Sequence, residues 1–171
     1  MITVSVSLPE YLAQWSRCRL GGIAENKNDV LVPKKGSPIS QFLRNFLRHK
    51  KFRPAHGVPE GARSAVADGI DKIIIAVPHF PGRDPQYFNY LSPVAEAQLR
   101  DLIRSSFDFE LFKDFLRFEN VNTPINEFIL SWIEANGIEN SEKNWLAVEK
   151  RLQLLRRKSA DRQRKAKRKN V

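Results

Sequence analysis

The stretch ITVSVSLPEYLAQW, residues 2–15, changes its period halfway along. Ile2, Val4, Val6 and Leu8 alternate with Thr3, Ser5 and Ser7, and a period of two predicts a strand with one buried face. Pro9 and Glu10 then suit the first turn of a helix. Tyr11, Leu12 and Trp15 come next at helical spacing, up to a stop at Gly21 and Gly22. A strand running directly into a helix makes the N-terminus α+β.

Working outward, residues 23–29 predict a loop and VLVP, residues 30–33, a second short strand. In GSPISQFLRNFLRHKK, Ser37 is placed to cap a helix and Pro38 fits its first position. Ile39, Phe42, Leu43, Phe46 and Leu47 form its apolar stripe. Residues 54–69 lose apolar periodicity and gain Pro and Gly, which predicts a linker. The β-branched run IDKIIIAVP predicts a buried strand, and the turn formers of HFPGRDPQYFNYLSP predict an irregular loop.

Helices are then predicted from Ser92–Pro93 (inner residues Leu99, Leu102 and Ile103), around Phe109, Phe112, Phe115 and Leu116, and from Thr123–Pro124 through Phe128, Ile129, Trp132 and Ile133. Asn136 and Gly137 end the third of these. A last helix begins near Ser141, with Trp145, Val148, Leu152 and Leu155 inward. After Leu155 the only apolar residues before Val171 are Ala160 and Ala166, so the remainder is a charged helical extension or a disordered tail. The expected fold class is α+β, predominantly helical. Its organisation is a strand–helix–(strand)–helix unit over 1–53, a linker over 54–69, a strand plus helical bundle over 70–149, and a basic extension over 150–171.

Charge is segregated along this plan. The chain carries a net +10, and residues 150–171 hold eleven Lys and Arg against one acid, Asp161. Residues 1–149 hold eighteen bases and eighteen acids, so one terminal segment supplies the whole excess. Charge concentrated on one element sets up a local field suited to a polyanion. The candidate phosphate-binding residues there are Lys150, Arg151, Arg156, Arg157, Lys158, Arg162, Arg164 and Lys165. A second basic region, without acids, runs through Lys34, Lys35, Arg44, Arg48, Lys50, Lys51 and Arg53. Phosphate contacts of this kind position a protein without reading sequence.

Three resemblances bear on function. ITVSVSLPEYL followed by GSPISQFLRNFL resembles the ribbon-helix-helix family of DNA-binding proteins. That resemblance implies a homodimer in which two strands pair, Thr3, Ser5 and Ser7 facing the major groove, and backbone amides near Gly36 and Ser37 touching phosphate. Without it, the same residues are a strand and two helices of an ordinary α+β unit. NEFILSWIEANGIENSEKNWLAVEKRLQLLRRK is similar in spacing to the first two helices of Myb-like domains and to helix-turn-helix units. Over most of its length the chain also resembles small basic bacterial and phage proteins labelled DNA-binding, which implies a regulator or accessory factor of a phage or mobile element.

Other classes have less support. No Gly-rich phosphate loop, HExxH, GxSxG or paired metal carboxylates appear, so no cofactor is expected. His79, Arg83, Asp84, Asn89 and Tyr90 cluster in one loop, but nothing supplies a nucleophile, and the loop is expected to be structural. Cys18 is the only cysteine, and His49 beside Lys50 and Lys51 belongs to a basic face rather than a metal site. Phe107, Phe109, Phe112, Phe115 and Phe118 have the spacing of core residues. No apolar run approaches the roughly 18 residues that cross a bilayer, which leads us to expect a cytoplasmic protein with no membrane attachment. The expected function is non-enzymatic binding of nucleic acid, double-stranded DNA first. The alternatives are an RNA- or ribosome-associated factor, or a protein-interaction module with a solubilising tail.

Overall fold

The alternating residues at the N-terminus form an edge strand, and the β-branched run at 70–76 forms the centre of the same sheet. The structure, a computed structural model, describes residues 1–23, 30–53, 70–119 and 124–169. Its elements in chain order are β1 (Thr3–Pro9), α1 (Glu10–Arg19), β2 (Gly21–Ile23), β3 (Val30–Pro33), α2 (Pro38–Phe46), β4 (Arg48–His49), one turn of 3-10 helix (Lys50–Phe52), β5 (Ile70–Ala76), β6 (Phe88–Tyr90), α3 (Pro93–Phe118), α4 (Ile125–Ala135) and α5 (Glu142–Lys169). The protein is α+β and predominantly helical. Two compact units divide it, Met1–Ile103 and Arg104–Val171.

In the first unit the strand order is β1-β5-β3-β2. β5 pairs antiparallel with β1 from Thr3↔Ala76 to Pro9↔Ile70, and parallel with β3. The second half of β5 lies in the core, with Ile73 and Ile75 fully buried, while Ile70 and Lys72 in its first half are exposed. On β1 the alternation holds: Val4, Val6 and Leu8 are buried, while Thr3 and Ser5 are exposed and Ser7 is half-buried. Leu12, Ala13 and Trp15 of α1 are buried with them, and the buried Ser16 hydroxyl donates to the Leu12 carbonyl 2.6 Å away.

Two local features pin the sheet. Gly21 faces β3 so closely that an added Cβ would lie 2.5 Å from the Val32 carbonyl oxygen, so only glycine fits. Arg17 of α1 donates to Asp71 of β5 at 2.6 Å and to the Lys72 carbonyl at 2.9 Å, tying helix to strand. The Arg17 hydrogen bond holds the Asp71 carboxyl below its ordinary pKa, against the opposing effect of partial burial.

Several features of this arrangement are not announced by local periodicity. The linker predicted at 54–69 lies outside the described residues, but the strand after it joins the sheet of the strand before it. The two compact units divide between Ile103 and Arg104. Within the expected irregular loop, Phe88–Tyr90 form β6, which pairs with β4 in a two-stranded ribbon. β1, the strand that the ribbon-helix-helix resemblance places in a dimer, pairs on one edge with β5 of its own chain, and its other edge faces no described strand of the sheet.

α3 is one helix of 26 residues where the sequence predicts two. No Gly or Pro interrupts it. Its buried residues recur every fourth position: Ala95, Leu99 and Ile103 in the first unit, Phe107, Leu111 and Phe115 in the second. Phe109 and Leu116, expected inward, are exposed, because positions two and nine residues on from Phe107 both lie on nearly the opposite side of a helix. Phe112 and Phe118 are half-buried.

In the second unit Phe107 meets Trp132 edge to face at 5.3 Å, and Phe128 packs against Phe115 and Phe118. The Trp132 indole N–H donates to Asp114 at 3.2 Å. α4 ends as the sequence predicts. Gly137 has φ +66°, its N–H donates to the Glu134 carbonyl, and the Ile138 N–H donates back to Ile133 while Ile138 is buried.

Candidate nucleic-acid interface

The basic C-terminal segment continues a packed helix. Ser141 caps α5: its hydroxyl accepts from the Asn144 N–H at 3.3 Å and its carbonyl from the Trp145 N–H at 2.9 Å. Asn144, Val148 and Leu152 are buried, whereas Trp145, expected inward, is half-buried. Asn144 fills a position on the inner stripe, and its side chain donates to the Glu139 carbonyl at 3.1 Å.

Beyond Leu152 no residue of α5 is buried, and only Leu155 and Ser159 are half-buried among those whose side chains are described. The helix nevertheless runs on to Lys169. Ala, Arg, Lys and Gln dominate that stretch, all strong helix formers, and basic residues in the last turns complement the helix dipole. Of the two outcomes the sequence left open, the charged helical extension is the one observed. The exposed half is about 25 Å long at the helical rise of 1.5 Å per residue.

The candidate bases on α5 divide by their surroundings. Arg151 grips Asp108 of α3 with two nitrogens, Nε at 2.5 Å from Oδ1 and a terminal nitrogen on Oδ2. Arg156 lies with its guanidinium 5.2 Å from the centre of the Phe115 ring. Arg151 holds the helix to its unit, whereas Arg156 stays exposed beside the ring. Lys150, Arg157, Lys158, Arg162, Arg164 and Lys165 are exposed. The spacing of Lys150, Arg157, Arg164 and Arg168 sets them on one side of the helix, away from the Asn144–Val148–Leu152 stripe. Asp161 is the single acid among them.

The second basic region lies in the first unit. Lys34 and Lys35 are exposed on the turn between β3 and α2, where Gly36 adopts φ +78°. Ser37 caps α2, accepting from the Ser40 N–H at 3.2 Å. The Ser37 N–H donates to the Lys34 carbonyl at 3.0 Å, so this amide, expected to touch phosphate, is satisfied within the turn. Arg44 and Arg48 are exposed at the end of α2 and on β4, and Lys50 and Lys51 on the 3-10 turn. Thr3, Ser5 and Ser7 lie on the sheet face opposite Val4, Val6 and Leu8.

The polar residues that could have suggested catalysis build their own loop. The Asp84 carboxylate accepts from the Gln86 N–H at 2.8 Å, and the Asn89 amide donates to the carbonyls of Pro85 and Gln86. Arg83 donates to the Arg44 carbonyl, fastening the loop to the end of α2. Among the described residues no group of three or more His, Cys, Asp or Glu side chains is placed to hold a metal ion. No described helix is long and apolar enough to cross a membrane.

Sequence reasoning passed over the aromatic residues around β4 and β6. About forty residues and the stretch 54–69 separate Lys50 from Tyr87, and only the β4–β6 pairing brings them together. The signal was present as KKFR and YFNY, two runs mixing rings with polar or basic neighbours. No family model, no curated protein and no solved structure matches the chain.

Proposed function

We propose that this chain is a non-enzymatic DNA-binding protein that grips the phosphate backbone with the basic half of α5, in the role of a regulator or accessory factor. The observation that carries this reading is the exposed half of α5, which has bases on all sides but the packed one and a single acid. A duplex presents one negative charge per about 1.7 Å of its axis, and a rigid cationic rod of about 25 Å matches it over many phosphates. Arg151 is engaged with Asp108 and stands apart from this contact set, while Arg156 is exposed and belongs to it. Contacts of this type supply affinity and little sequence preference.

The test is fluorescence anisotropy of a random-sequence duplex with the full chain and with a chain ending at Leu155. Neutralising about six phosphates makes affinity fall roughly a thousandfold between 50 and 200 mM salt, and the truncation flattens that slope. Equal, weak binding by both chains would sink the reading.

A further inference from the structure

A second surface, in the first unit, carries a different chemistry. The ribbon of β4 and β6 pairs Arg48 with Tyr90 and His49 with Phe88, and the Lys50 N–H donates to the Tyr87 carbonyl at 2.6 Å. Around it, cations and rings alternate. The Lys50 ammonium lies 5.1 Å from the Tyr87 ring centre, Lys51 5.2 Å from Phe52, Arg53 5.9 Å from Tyr90 and Arg83 5.8 Å from Phe88. His49 stacks on Tyr87 at 5.8 Å and meets Phe88 edge-on at 5.5 Å. Yet the rings are not a core: Phe52 is 59% exposed and Tyr87 48%. Asp84, the acid of this loop, has its carboxylate on the Gln86 N–H.

Large rings left in solvent at the end of a ribbon, each with a lysine ammonium near it, are costly unless something covers them. We infer that the β4–β6 ribbon and its 3-10 turn form a binding platform for single-stranded nucleic acid, with bases stacking on Phe52 and Tyr87 and phosphates held by Arg48, Lys50, Lys51 and Arg53. A single strand offers flat π faces and anionic links in alternation, which is the pattern of this surface. A duplex keeps its bases stacked on one another and offers the rings nothing. An acidic peptide engages the cations and leaves the ring faces bare. The platform belongs to the first unit and does not rest on phosphate binding by α5.

The experiment measures anisotropy of labelled oligo-dT and oligo-U, a duplex of equal length, and polyglutamate, all with the full chain and its variants. Phe52→Ala and Tyr87→Ala each weaken single-strand binding by about tenfold at fixed salt, since one stacked base is lost. Their salt slopes stay unchanged because no phosphate contact is removed, and Tyr87→Phe, which keeps the ring, binds as the parent does. Duplex binding is unaffected by either alanine. A preference between oligo-dT and oligo-U identifies the strand as DNA or RNA. Single-strand binding that ignores both alanines overturns the inference, as does polyglutamate binding that is equally tight and equally ring-dependent. Truncation at Leu155 separates this result from the α5 reading, because it removes duplex affinity and leaves ring-dependent binding in place.

Discussion

Arg151 and Asp108 join α5 to α3 through a two-pronged ion pair, both side chains about four-fifths removed from solvent. In a segment of eleven bases, this one is a structural fastener rather than a free cation. Asp108→Ala leaves the Arg151 charge in that setting without its main partner, and the second unit should lose about 2 kcal/mol. Urea unfolding followed through Trp132 and Trp145 measures it. A double-mutant cycle with Arg151→Met should return a coupling of about 1–2 kcal/mol, and a value near zero would show the fork to be incidental.

Exposed bases on the same helix should behave in the opposite way. Arg157→Gln with Arg164→Gln should leave urea stability within about 0.5 kcal/mol of the parent. The same pair should reduce the salt slope of duplex binding by about two, one for each phosphate contact. A stability loss with an unchanged slope would reverse the roles assigned to the two sets.

Leu152 marks the end of the packed half of α5. Leu152→Ala should cost about 3 kcal/mol, through lost burial and the cavity left behind. Leu154, two positions on and 39% exposed, should tolerate alanine within about 0.5 kcal/mol. Thermal melts of the two variants read the contrast directly.

Acid should loosen the first unit through Asp71. Its carboxyl titrates lower in the folded chain because Arg17 hydrogen-bonds the charged form. The stabilisation is therefore complete above the ordinary aspartate pKa and is lost as pH falls through the lower folded value. Partial exposure of the pair keeps the effect small. Asp71→Asn should flatten this part of the stability profile, followed through Trp15. An unchanged acid limb would assign it to another carboxylate.

What could be read from sequence was whatever local periodicity controls. Val4, Val6 and Leu8 announce a strand because side chains alternate, and Ser37–Pro38 announces a helix start because capping is local. α3 reads as two helices because the exposed Phe109 and Leu116 suggest a second apolar face, although the buried series from Leu99 through Phe107 to Phe115 keeps one phase. The pairing of β5 with β1 was hidden for another reason, since hydrogen bonding across a sheet leaves no mark at a fixed sequence spacing. The interface divides similarly. Eleven bases in 22 residues are visible in composition, but the withdrawal of Arg151 depends on Asp108, which lies more than forty residues away.

The position of β5 also sets an order of assembly. It is the last strand of its sheet to leave the ribosome and the one that lies between β1 and β3. Until about residue 76 has been made, β1 lacks the neighbour it has in the finished sheet, and joining them closes a loop of about seventy residues. The second unit pairs helices that are close together in the chain, and such local topologies form faster. On refolding, the fluorescence of Trp132 and Trp145 should recover before that of Trp15, so the unit synthesised later is the first to become ordered.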